Sequence, residues 1–146
     1  MTSRVIAIAG AKGSPGCSFL ALALARCLAA SNIPTLLLDG DAEGGGLATV
    51  LDIDPVMPAD ANDGRAIEEK AMEVETRLWF AELAPDQVAP TNGLEVAVAA
   101  RARHQAVVVD LGHSIGPLQR QLSAASDWLL WVVVPDRSGL ERADRA

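Results

Sequence analysis

The chain has no tyrosine, and only three tryptophans and two phenylalanines among its 146 residues. A core so poor in rings has to be built from Ala, Val and Leu, which suits close packing of helices on a sheet. Cysteine is scarce as well. Cys17 and Cys27 form no metal or redox pair motif, and two thiols in one expected helix point to a reducing cytosol. Lysine occurs only at Lys12 and Lys70, in a chain that otherwise uses arginine. The arginines are scattered and the formal net charge is −7, which argues against a direct nucleic-acid surface. Long apolar runs are missing too. Lys12, Gly13, Pro15 and Gly16 interrupt the first and Arg26 the second, so no targeting or membrane-spanning segment is read.

Half of the chain is apolar, enough for one ordinary domain over residues 1–146. Val5–Ala9, Thr35–Asp39, Ala106–Leu111 and Trp128–Val134 are continuous apolar runs, the pattern of strands buried on both faces. Leu78–Leu83 is a weaker fifth. Helices are expected over Ser18–Ala30, roughly Arg65–Arg77, Leu94–His104 and Pro117–Ala125, with a loop from Asp52 to Gly64. This alternation predicts an α/β fold, a doubly wound, mostly parallel sheet with helices on both faces. A last helix, Leu140–Arg145, starts and the chain stops, so the sheet is expected to be incomplete at its C-terminal end.

Three segments carry chemistry. The first is Lys12-Gly13-Ser14-Pro15-Gly16-Cys17-Ser18, between the first strand and the first helix. Gly13 and Gly16 let backbone approach an anion, and Ser18 offers a hydroxyl to a helix end or to Mg²⁺. A phosphate loop has lysine directly before its Ser/Thr, where this chain has Cys17. A tight turn with no ligand remains open. The second is Leu38-Asp39-Gly40-Asp41, two carboxylates at a strand's C-terminal end, able to hold Mg²⁺, to orient a water, or to cap a helix. The third is Val107-Val108-Val109-Asp110-Leu111-Gly112, an apolar strand ending in the acid that reaches Mg²⁺ in phosphate-loop enzymes. Trp128 and Trp131 are read as core, Cys27 as a small buried hydrophobe, and His104 as a helix end. Cys17, at a helix N-terminus, is expected to have a lowered thiol pKa.

In this order the three segments resemble the MinD/ParA family of P-loop ATPases, and most of all its CpaE/TadZ branch. The resemblance implies ATP and Mg²⁺ as ligands. It places Gly13, Ser14, Gly16, Cys17, Ser18 and Phe19 on the nucleotide, Ser18, Asp39 and Asp110 at the metal, and Lys12 and Asp41 in catalysis. Lys12 matches a lysine that in relatives reaches across a homodimer formed through the nucleotide face. Cys17, Ser14 and Phe19 depart from the family's loop, which implies a weak ATPase at most. The resemblance further implies a cytoplasmic regulator of position or assembly, peripheral to the membrane through partners, acting on pilus, secretion or partitioning machinery. Two alternatives stand beside it. One is a pseudo-ATPase scaffold indifferent to nucleotide. The other is a Rossmann oxidoreductase, because Gly10, Gly13 and Gly16 have dinucleotide spacing and Asp39 ends the second strand.

Overall fold

The computed structural model describes residues 2–11, 16–43, 46–54, 64–83, 92–113, 116–133, 141 and 144. Six strands form one sheet: β1 Arg4–Gly10, β2 Thr35–Asp39, β3 Met72–Glu75, β4 Leu78–Glu82, β5 Ala106–Asp110 and β6 Trp128–Val132. The helices are α1 Cys17–Ala30, α2 Gly46–Val50, α3 Gly64–Lys70, α4 Gly93–Arg103 and α5 Pro117–Ala124. The strand order is β3-β4-β2-β5-β1-β6, parallel except for β3. From β1 the chain crosses β5 to reach β2, whereas β6 lies on the other side of β1. The sheet therefore reverses direction at β1, the place where α/β folds open a crevice.

β2 and β5 are buried along their full length, because helices cover both faces. Side chains alternate between two cores. Val107 and Val109 face α4 and α5, with Leu36, Leu38, Val96, Leu118 and Leu122. Val108 faces α1, with Ile8, Leu37, Leu78 and Phe80. α1 meets the sheet through Ala21, Ala25 and Ala29, a stripe of small residues that brings the helix close. Register then matters for function. Asp39 pairs with Asp110 across β2 and β5, so two acids end adjacent central strands at the same level.

Some expectations are corrected. The helix expected over 65–77 stops at Lys70, and Met72–Glu75 forms an antiparallel edge strand with β4. Glu73 and Glu75 alternate there with half-buried Val74, a period of two that a helix cannot satisfy. Trp128 is 55% exposed rather than core, with Arg4 over its ring at 5.9 Å, while Trp131 does pack against the core. Cys27 is exposed, not buried. His104 ends α4 as expected, its N–H donating to Ala100 O at 3.2 Å. It is packed against Trp79, though, and burial lowers its pKa, so it is a poor cation for the helix end. Most of the loop over 52–64 and of the final helix over 140–145 lies outside the described residues.

Candidate functional site

The crevice is built at the C-terminal ends of β1, β2 and β5. Lys12, Gly13 and Ser14 lie outside the described residues. The description resumes at Gly16, with φ +109° and ψ 0°, a left-handed turn that glycine takes without strain. Leu20 N–H donates to Gly16 O at 2.8 Å, so the first turn of α1 closes directly on the glycine. Among the described residues no side chain caps this helix end, a layout suited to an anion.

Cys17 opens α1 and points inward, its Sγ 3.9 Å from Gly112 O. Burial pushes its thiol up to about 11, and the charges of Asp110 and Asp41 push the same way. The expected thiolate is therefore overturned: desolvation and two carboxylates outweigh the helix dipole, and Cys17 is neutral at pH 7. Ser18 is half-buried, and its hydroxyl favours the ionised form of Asp110. A Cβ on Gly46 would lie 3.9 Å from Ser18 Oγ, which sets the start of α2 beside the hydroxyl. Phe19 is 75% exposed and has no part in the core.

The three acids have different fates. Asp39, 2% exposed, accepts from Asp41 N–H at 3.1 Å, and the backbone of Leu47 also bonds it. Burial still raises its pKa to about 7, with Asp110 and Glu82 adding to the rise. Asp41 is half-buried; its Oδ1 accepts from Glu43 N–H at 3.0 Å. The strand ends at Asp39 and the chain turns there, so Asp41 lies beyond the strand, its N–H donating back to Asp39. Asp110 is fully buried. Its Oδ1 accepts from Gly112 N–H at 3.0 Å, while among the described residues Oδ2 has no hydrogen-bond partner. Its pKa is raised by burial first, and by Asp41.

An unpartnered buried carboxylate oxygen is costly unless something charged or polar comes to it. Ser18 and Asp110 are hard oxygen donors of the kind Mg²⁺ takes one or two of, filling its remaining positions with water and phosphate. Among the described residues no three His, Cys, Asp or Glu side chains form a cage of their own, so only this sparser kind of site fits.

Gly112 was read in the sequence only as the end of the third segment, and Gln119 was not read at all. Gly112, at φ +62°, touches all three segments. Gln119, fully buried in α5, donates to Gly40 O at 2.7 Å and accepts from Gly116 N–H at 3.0 Å, so it ties the Asp39–Asp41 turn to α5. Its only sequence signal was its place three residues after Gly116 at a helix start.

A mostly parallel sheet that reverses at β1, with a glycine turn after that strand and acids ending the neighbouring central strands β2 and β5, is an α/β fold of the phosphate-loop class. The particular fold is that of the MinD and ParA ATPases. MinD of Pyrococcus horikoshii, solved with Mg-ADP, matches at TM-score 0.80 and 19% identity over 96% of this chain and 61% of its own. A ParA family ATPase of Chlorobium tepidum matches at TM-score 0.82 and 21% identity, over 99% and 65%. MinD of Aquifex aeolicus, in a MinC:MinD complex, matches at TM-score 0.77 and 22% identity, over 98% and 61%. The chain thus spans 61% to 65% of the length of these proteins. No protein-family model and no curated protein sequence matches it.

Proposed function

We propose that the chain binds Mg²⁺–ATP in the crevice between β1 and β5 and works as a MinD/ParA-like switch with weak hydrolysis at most. The observation that carries this reading is the fully buried Asp110 with an unpartnered Oδ2, set beside the Ser18 hydroxyl below an uncapped helix end. Ser18 and Asp110 would hold the metal. Lys12 and the turn through Gly13, Ser14, Gly16, Cys17, Ser18 and Phe19 would hold phosphate, and Asp41 would reach Mg²⁺ through a water and orient that water, so that it bears on binding as well as on hydrolysis. Bound Mg²⁺ would offset phosphate charge. The metal-binding part expected of Asp39 passes in this proposal to Ser18 and Asp110, since Asp39 serves the backbone of its own turn. The same fact removes the support for a dinucleotide site, in which that acid has to face a ribose.

Weak hydrolysis follows from Cys17. A neutral thiol stands where a lysine would meet the β/γ-phosphates, beside Asp41 and Asp110. Among the described residues the arginine ion pairs lie elsewhere: Arg4 and Arg101 with Asp127, Arg26 with Glu75, and Arg103 with Glu68. That charge balance also favours a second reading, a nucleotide-indifferent pseudo-ATPase scaffold. A cytoplasmic role, a homodimer through the nucleotide face, and a CpaE-like part in placing pilus, secretion or partitioning machinery extend the first reading from resemblance. Among the described residues no helix is long and apolar enough to cross a membrane.

Calorimetry with ATP and Mg²⁺ tests the proposal. Heat of binding that disappears with EDTA and in Asp110→Ala supports it, and a folded chain that binds no nucleotide leaves the scaffold. In Cys17→Lys the affinity for Mg²⁺–ATP is expected to rise by about 10-fold or more, through an ammonium facing two carboxylates.

A further inference from the structure

Gly112 joins the three segments through four different contacts. Its N–H donates to Asp110 Oδ1 at 3.0 Å. Its carbonyl accepts from Gly10 N–H at 2.8 Å and lies 3.9 Å from the Cys17 thiol. Its φ is +62°. The fourth contact is the unusual one. A Cβ on Gly112 would sit 2.5 Å from both carboxylate oxygens of Asp41, so the place of a side chain is filled by that carboxylate. By contrast, the Cβ absent from Gly16 would meet nothing within 4 Å among the described residues. Glycine at 16 answers a backbone conformation, whereas glycine at 112 answers a conformation and a neighbour.

We infer that Gly112 is the positioning residue for Asp41: it seats the carboxylate beside Cys17 and Asp110 and couples its place to the ends of β1 and β5. Among the described residues the Asp41 side chain has one hydrogen bond, to its Oδ1 from Glu43 N–H, and both of its oxygens lie against Gly112. The flat, side-chain-free face of Gly112 sets their place. Because the same residue holds Gly10 by its carbonyl and Asp110 by its N–H, a shift of the end of β1 or of Asp110 reaches Asp41 through two hydrogen bonds. The inference rests on the proposed nucleotide site for its functional consequence, but the contact itself is testable without a ligand.

The test is a double-mutant cycle of Gly112→Ala and Asp41→Ala, read by thermal melting and then by Mg²⁺–ATP titration. The strain of an alanine at φ +62° is common to both backgrounds, so it cancels in the cycle. Gly112→Ala is expected to lower the melting midpoint by about 5 °C or more in the parent and by clearly less in Asp41→Ala. If the single variant does not fold, its recovery in Asp41→Ala supports the inference equally. Equal losses in both backgrounds, or failure to fold in both, overturn it. In the titration, Gly112→Ala is expected to weaken Mg²⁺–ATP binding in the parent and to add nothing to Asp41→Ala. Binding weakened by Asp41→Ala but not by Gly112→Ala overturns the positioning role. No binding by the parent overturns the site reading instead, and the melting cycle still decides the contact.

Discussion

The two ends of the sheet treat their carboxylates in opposite ways. At the N-terminal strand ends, Asp127 accepts from Val5 N–H at 2.7 Å and pairs with Arg101 at 3.0 Å and Arg4 at 3.4 Å. Those bonds, the backbone one first, hold its pKa below the usual carboxylate range. At the C-terminal ends, Asp39 and Asp110 are buried among further acids, and both pKa values are raised. One end has its charges satisfied within the fold. The other leaves a buried oxygen on Asp110 without a partner. Carboxylates that the fold itself neutralises serve stability, and those it leaves unmatched mark where an outside ligand is expected.

That contrast can be broken most sharply at Asp110. Asp110→Asn keeps the acceptor for Gly112 N–H and removes the buried charge. It is expected to reduce Mg²⁺-dependent ATP affinity by about 10-fold or more, yet to raise the melting midpoint by a few degrees. Titration and melting of one sample check both, and a variant less stable than the parent would place Asp110 with the structural acids. At the other end the signs reverse. Asp127→Ala leaves Val5 N–H unpaired and is expected to cost about 1–3 kcal/mol in urea unfolding, with nucleotide binding unchanged.

The smallest effect is in the pH dependence. Asp39 titrates at about 7 in the folded chain against 3.8 as its ordinary value. The folded state therefore holds more protons between these pH values, and stability falls as pH rises through that window. Asp110, also raised, adds in the same direction, with Glu82 and Asp41 the charges facing the pair. Asp127, lowered, works the other way: its stabilisation is complete above the ordinary carboxylate range and is lost as pH falls through its depressed pKa. Urea midpoints taken from pH 4 to pH 8 are expected to decline, and Asp39→Asn to flatten the decline.

Much of the fold was legible because buried parallel strands leave continuous apolar runs. Val5–Ala9, Thr35–Asp39 and Ala106–Leu111 each fall on a strand within a residue or two. Met72–Glu75 was not legible, since a short edge strand carrying Glu73 and Glu75 reads as a polar helix tail until β4 is present to pair with it. In the site, Asp39 and Asp110 were found by their places at strand ends. Their roles were not, because a role depends on which amides and charges arrive from elsewhere. The contact that Gly112 makes was hidden for the same reason. A glycine after a strand is common, and only the arrival of Asp41 against it makes it distinctive.

The sequence by itself determined the layers, the glycine turn opening the first helix, and the acids closing two central strands, since each follows from local pattern and spacing. The tertiary structure alone decided which acids are satisfied. Val5 N–H reaches Asp127 across 122 positions of chain, whereas among the described residues Asp110 Oδ2 has no hydrogen-bond partner. Hydrogen bonds and desolvation act over a few ångströms, and only the folded sheet sets which groups lie within that reach.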